Sequence, residues 1–347
     1  MQIIELLTPA YEAAWLPWAV QYFFLVGIAT GTALLAVWGA WSRAHRPAAK
    51  ALPLSMLVLA ITALAAPVSL LADLHQPARF WHFYAHFTPW SWMSLGALLL
   101  PPFVALSLAM CAAWWLGRTG WMRALGAALL LSALSIVVYT GAEISVVKAR
   151  PLWNNPWVPV NLALTAWLAA VGALLVASCW LPAGRDAQVR AWLARLGLGL
   201  SAALLAVACI WAATGLAFDT PSFHAAARLY ADFPVWRASL WLSVLLGAAV
   251  LLLWCQPRRW AASTARTLAL GLTVAAAAWG FRWALFMGVQ GVPKYGAGLY
   301  VYRMPLGGDG LMGMLGVFGL CLALATLALW ALERFPARAT PAASAAN

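Results

Sequence analysis

Nine stretches of nearly unbroken apolar sequence, roughly residues 17–41, 52–72, 90–116, 124–147, 158–180, 196–216, 235–255, 267–290 and 311–332, dominate this chain of 347 residues. Each is about twenty residues long, the length that crosses a hydrocarbon core of about 30 Å as a helix. A lipid-facing backbone must satisfy its hydrogen bonds within its own segment, so runs like these admit helices and exclude open sheets. The fold class is therefore all-α, a polytopic transmembrane bundle of about nine helices. Charge agrees, because 9% of the residues are charged, against about a quarter in soluble domains. Glu5 and Glu12 precede the first run and no Lys or Arg occurs before Arg43, so the basic head of a cleaved signal is lacking and the run is expected to stay as a membrane helix.

Basic residues orient the bundle. Arg43, Arg46, Lys50, Arg118, Arg123, Arg185, Arg190, Arg195, Arg258, Arg259, Arg266, Arg334 and Arg338 all fall on one side, thirteen of the 21 Lys and Arg. The excess of basic residues in short loops marks the cytoplasmic side, which puts the amino terminus outside and the carboxyl terminus inside. Seven acids (Glu5, Glu12, Asp73, Glu143, Asp219, Asp232, Asp309) fall outside and two, Asp186 and Glu333, inside. The net charge of +12 then reads as a topology signal rather than a nucleic-acid surface, since the bases are scattered beside apolar helices.

Cysteine and histidine narrow the cofactors. Cys111, Cys179, Cys209, Cys255 and Cys321 each stand alone in or at the end of a span, without iron–sulfur or zinc spacing. His45, His75, His82, His86 and His224 all map to loops, whereas a haem held between helices takes its axial ligands from them. The expectation is no haem, no iron–sulfur cluster and no molybdenum in this chain. His82 and His86 stand four apart, as a metal pair on a helix would, but Trp81, Phe83, Tyr84, Phe87 and Trp90 around them read better as an interfacial aromatic belt.

Polar groups at membrane depth are expensive and default to functional candidates. Gln21 and Tyr22 lie about one turn into the first helix; the amide either bonds a neighbouring helix or donates to a ligand carbonyl. Gly27 and Gly31 form a small-xxx-small pair suited to close packing. Tyr139 and Glu143 share one face of the fourth helix, where a phenol beside a carboxylate can exchange a proton with a small redox ligand. The alternative is an ion pair of Glu143 with Lys148 or Arg150. Asp73 and Arg79 bracket a turn at Pro77 in "DLHQPARFWH", either as a structural clamp or with a direct proton role. Arg282, deeper in the eighth helix, must find a carboxylate, a carbonyl or an anionic ligand, or snorkel outward. Residues 291–310 carry Lys294, Arg303 and Asp309 in a Gly- and Tyr-rich loop, either an ordinary glycine-rich connection or, as its length favours, a docking surface.

The blocks "WLPWAVQYFFLVGIATG", "ADLHQPARFWHFYAHFTPWSWM", "VYTGAEISVVKARPLW" and "VQGVPKYGAGLYVYRMPLGGDG" resemble, in order and over most of the chain, the NrfD/PsrC family of quinone-reactive membrane subunits, closest to its tetrathionate reductase branch. The resemblance implies a membrane subunit that oxidises quinol, menaquinone or ubiquinone. It implies as partners an extracytoplasmic ferredoxin-like subunit with four-iron clusters and, through it, a molybdopterin catalytic subunit that reduces a sulfur compound. It implies a place in the bacterial cytoplasmic (inner) membrane. By motif, Tyr139 matches the family's quinone-site tyrosine and Gln21 falls in the first-helix block, with Glu143, Asp73 and Arg79 joining by proximity. The wider family often has Gly-Arg after the motif aspartate, where this chain has His75 and Gln76, so His75 stands as a partial replacement. The wider family also tends to be apolar where Glu143 sits. Candidate roles are catalytic for Tyr139, Glu143 and Asp73, and quinone-binding for Gln21, Tyr22, His75, Arg79 and Arg282.

The implied layout is an amino-terminal segment (1–16), a four-helix bundle with the quinone site (17–147), an outer loop (148–157), a second bundle (158–290), the docking loop (291–310), a ninth helix (311–332) and a cytoplasmic tail (333–347). The rivals are a related polysulfide, thiosulfate or nitrite reductase subunit, a proton-coupled transporter, and an anchor that never touches quinone.

Overall fold

A computed structural model of the chain describes residues 15–74, 76–261, 263–290 and 304–338. Among the described residues there is no strand, and nine helices are long and apolar enough to cross a membrane. We label these α1 (Pro17–Trp41), α2 (Leu52–Asp73), α3 (Trp92–Trp115), α4 (Thr119–Ser145), α5 (Trp157–Ala177), α6 (Ala187–Phe218), α7 (Pro234–Trp254), α8 (Thr264–Trp283) and α9 (Leu311–Arg334).

The helices extend past the apolar runs where charge interrupts the pattern. α4 begins at Thr119 and α6 at Ala187, ahead of the apolar stretches expected from 124 and 196. Arg123, Arg190 and Arg195 lie in their early turns, and long basic side chains reach the interface from a helix that continues beneath them. The start of α6 is fixed by Asp186, whose carboxylate accepts the Gln188 N–H at 2.7 Å as an N-cap does. Two histidines expected in loops fall instead within short helices, His82 in His82–Ala85 and His224 in Pro221–Asp232. The second of these starts on a proline at its first helical position, where the ring's fixed φ is already helical.

α1 is the axis of the molecule. It packs on α2, α4, α5 and α8, and 78% of its apolar window is buried, against 6% for α7 and α9. A helix that is apolar all round suits either a protein core or lipid, so burial, not composition, separates the central helix from the lipid-facing ones. Gly27 and Gly31 allow the close approach of α1 to α5. A Cβ on Gly27 would lie 3.0 Å from the Ala166 Cβ, and one on Gly31 would lie 2.9 Å from the Ala170 Cβ, both at or below the limit of ordinary contact.

The ends of the spans meet in two layers. The start of α1 touches the end of α2 through Leu16 and Asp73; we call this the α1-start face. On the opposite face Trp41 of α1 bonds the Arg123 carbonyl of α4 at 3.3 Å, and Trp115 of α3 bonds the Phe335 carbonyl after α9 at 2.7 Å. α3 is closed there by Gly117, at φ +68°, a conformation glycine adopts without penalty. The amino-terminal segment to residue 14, most of the expected docking loop (291–303) and the tail from 339 lie outside the described residues.

Candidate functional site

On the α1-start face, α2, α3 and α4 enclose a cavity of about 510 Å³. Its walls are largely apolar, with Pro67 and Leu70 from α2 and Leu100 and Val104 from α3. Its ionisable lining groups are Tyr84, Tyr139 and Glu143. Tyr139 and Glu143 stand one turn apart on α4 and are within hydrogen-bonding reach of each other. Tyr139 is 4% exposed, and Glu143 Oε2 is buried with no hydrogen-bond partner among the described residues. Burying a polar atom unpaired costs about 1–3 kcal/mol, so the arrangement is unfavourable unless something else meets that oxygen.

Two features of α3 shape the cavity. At Gly96 the helix surface is bare, and a Cβ there would overlap the Tyr139 ring. At Pro101 the missing N–H leaves the Ala97 carbonyl without its helical donor. The Tyr84 hydroxyl fills that gap, donating to Ala97 O at 3.1 Å, which is how a proline is tolerated inside a membrane helix. The bond ties the aromatic connection between α2 and α3 to the cavity wall.

The remaining candidates take different places. Tyr22 of α1 lies within electrostatic reach of Glu143, and its buried hydroxyl has no partner among the described residues. Gln21 is fully buried; its Oε1 accepts from Trp279 Nε1 at 3.3 Å while its Nε2 has no partner among the described residues. Asp73 lies within electrostatic reach of Glu143, and its Oδ1 accepts from the N–H groups of Leu16 and Ala19 at 3.0 and 3.1 Å. It thereby caps the first turn of α1 from a neighbouring helix, satisfying donors that a helix start leaves free. Arg79 is exposed and lines an adjoining cleft with His82 and His86. His75 lies outside the described residues.

Arg282 lies apart from the cavity. It is 1% exposed and donates to the carbonyls of Phe23, Ala278 and Leu162 and to Thr165 Oγ1, at 3.0–3.3 Å. Of the partners the sequence allowed it, it takes backbone carbonyls, from α1, α5 and its own helix, and adds one the sequence reading did not name, the Thr165 hydroxyl. Arg150, one proposed partner for Glu143, donates to the Val289 carbonyl at 2.6 Å and lies over the Trp153 ring.

Several residues at this end were not singled out from sequence. Past α8 the chain winds as a π-helix over Ala284–Gly288, and the Leu285 carbonyl takes the Trp153 indole N–H at 2.7 Å. Gln290 bonds both backbone groups of Trp15 at 3.0 and 3.1 Å, and Trp15 stacks on Trp153 at 5.3 Å. These contacts fasten the approach to α1, which presents Gln21 and Tyr22, onto the end of α8. Gly96 and Gln290 carry no local signal, and Tyr84 reads from sequence only as one ring of the aromatic belt; the one legible hint to its bond is the Pro101–Pro102 pair, which announces free carbonyls on α3.

Comparison with known proteins gives this arrangement a family. The chain is 37% identical over 344 residues to a tetrathionate reductase subunit of Salmonella typhimurium, covering 93% of each chain. The profile of the polysulphide reductase NrfD family matches residues 6–294, a stretch that takes in the first eight spans and every residue around the cavity. The chain is a multi-pass membrane protein that belongs to the polysulphide reductase NrfD family.

Proposed function

We propose that this chain oxidises membrane quinol in the α2–α3–α4 cavity, as the membrane subunit of a molybdopterin sulfur-compound reductase of the tetrathionate reductase type. The observation that carries this reading is an apolar cavity of about 510 Å³ with a buried phenol and carboxyl side by side in its wall. Those groups fit a quinone, whose ring oxygens need polar partners and whose isoprenoid tail needs an apolar channel. A bound quinol, menaquinol or ubiquinol, supplies two electrons and two protons as it is oxidised. Tyr139 holds a ring oxygen, and Glu143, through its unpartnered Oε2, receives the two protons one after the other, passing the first to the outer face before it takes the second. Tyr22, within electrostatic reach of Glu143, offers a further polar atom. Gln21 beside it in sequence keeps an amide Nε2 with no partner among the described residues while its Oε1 meets Trp279 of α8, and Asp73 fixes the start of α1 that carries them.

The partners follow from the same reading. Electrons pass to an extracytoplasmic iron–sulfur subunit and through it to the molybdopterin subunit. The α1-start face is extracytoplasmic because the short loops of the other face hold the arginine excess. Protons and electrons then leave on one side, and turnover moves no net charge across the membrane. In this scheme the first four spans form the quinone bundle, the next four a second bundle, and residues 291–310 a docking loop for the iron–sulfur subunit.

The test is quinol-dependent reduction of the iron–sulfur partner in membranes, for wild type, Tyr139→Phe and Glu143→Gln, with assembly checked in each. Loss of electron transfer in assembled variants is the expected result. Normal rates in both move the chemistry out of this cavity.

A further inference from the structure

On the face opposite the cavity, a cleft of about 620 Å³ opens between the end of α1, the α1–α2 connection and the early turns of α6. Three guanidinium groups line it, Arg43 and Arg46 from the connection and Arg195 from α6. Two indoles form its wall: Trp38 of α1 is 49% exposed and meets the buried Trp192 of α6 edge to face at 5.5 Å. The nearby carboxylate of Asp186 is occupied by Lys50 at 2.8 Å. Among the described residues no salt bridge reaches Arg43, Arg46 or Arg195.

We infer that this cleft binds one phospholipid with a negatively charged headgroup. Like charges converging on one cleft repel one another, and marking topology requires only that they lie in the loops. Their convergence is offset when a phosphodiester sits among them, because guanidinium forks match phosphate oxygens in geometry as well as charge. The tryptophans select a lipid over a free anion. An indole at the membrane–water boundary packs on the glycerol and upper acyl carbons, which inorganic phosphate lacks. Basic pockets between transmembrane helices bind anionic headgroups on this principle. The lipid would join α1, the central helix, to the more lipid-exposed α6.

The test is native mass spectrometry of the full-length chain, reconstituted with phosphatidylglycerol and phosphatidylethanolamine in equal amounts. Wild type is expected to retain phosphatidylglycerol selectively. The Arg43→Gln/Arg46→Gln/Arg195→Gln variant is expected to bind it about a hundredfold more weakly, at roughly fivefold per arginine. A control with the same charge loss on the same face, Arg118→Gln/Arg123→Gln/Arg266→Gln, is expected to keep it. Trp38→Ala, with every charge intact, is expected to weaken retention severalfold. Should the cleft variant not fold, Arg43→Gln alone carries the test with about a fivefold loss. Equal retention of both lipids by wild type, equal loss in the two triple variants, or displacement of the lipid by excess inorganic phosphate each overturns the inference.

Discussion

Gly96 of α3 makes the room that the Tyr139 phenol of α4 occupies: a single methyl group on Gly96 would overlap the ring. The position of the phenol is therefore set by a neighbouring helix as much as by its own. Gly96→Ala is expected to push Tyr139 from its place at a cost of about 1–3 kcal/mol. Quinol-dependent electron delivery should fall at least as far as in Tyr139→Phe, with the chain still inserted. Full activity in assembled Gly96→Ala would show that the phenol's position is unimportant.

Asp73 has a capping task that can be separated from proton transfer. Its Oδ1 accepts two N–H groups at the start of α1, and asparagine supplies an equivalent oxygen without a titrating proton. Asp73→Ala is expected to cost about 1–2 kcal/mol in thermal unfolding, as lost caps do, and Asp73→Asn much less. If Asp73→Asn keeps the stability but loses turnover, the carboxylate works in proton transfer as well as in capping.

Arg282 predicts a stability effect distinct from the chemistry. Its guanidinium spans α1, α5 and α8 through four acceptors, and a hydrogen bond from a charged donor is worth about 1.5–3 kcal/mol. Arg282→Met is expected to lower the unfolding temperature and the yield of assembled complex. Arg282→Lys is expected to recover only part of this, because an ammonium lacks the planar fork. An unchanged unfolding temperature in Arg282→Met would remove the guanidinium from the structural frame.

The Lys50–Asp186 contact predicts a pH dependence on the opposite face. The Lys50 ammonium, with help from the Gln188 N–H, holds the Asp186 carboxyl below its ordinary 3.8. A carboxyl lowered on folding adds stability that is fully present above its unfolded pKa and is lost as pH falls through its folded value. Wild type should therefore unfold at higher temperature than Asp186→Asn at neutral pH, by at most about 1 kcal/mol for so exposed a pair. The difference should vanish below the ordinary aspartate range. A gap that persists there would tie Asp186 to something other than its charge.

The sequence by itself determined the class and the count of spans, because apolar length is a local property and a bilayer leaves only the helix to satisfy the backbone. It also marked Tyr139 and Glu143 as one face of one helix, since that follows from the 3.6-residue period alone. Where helices start was less legible: α4 and α6 run past Arg123, Arg190 and Arg195, which hydropathy reads as boundaries. Only the tertiary structure decided which helix is central, since α1 and α9 are similarly apolar and differ in what surrounds them. It also set the partners of Arg282, the Asp73 cap on α1, the Tyr84 bond to Ala97 and the space at Gly96. Each of these joins residues distant in sequence or on different helices, and such pairings depend on how helices cross, which no local pattern encodes.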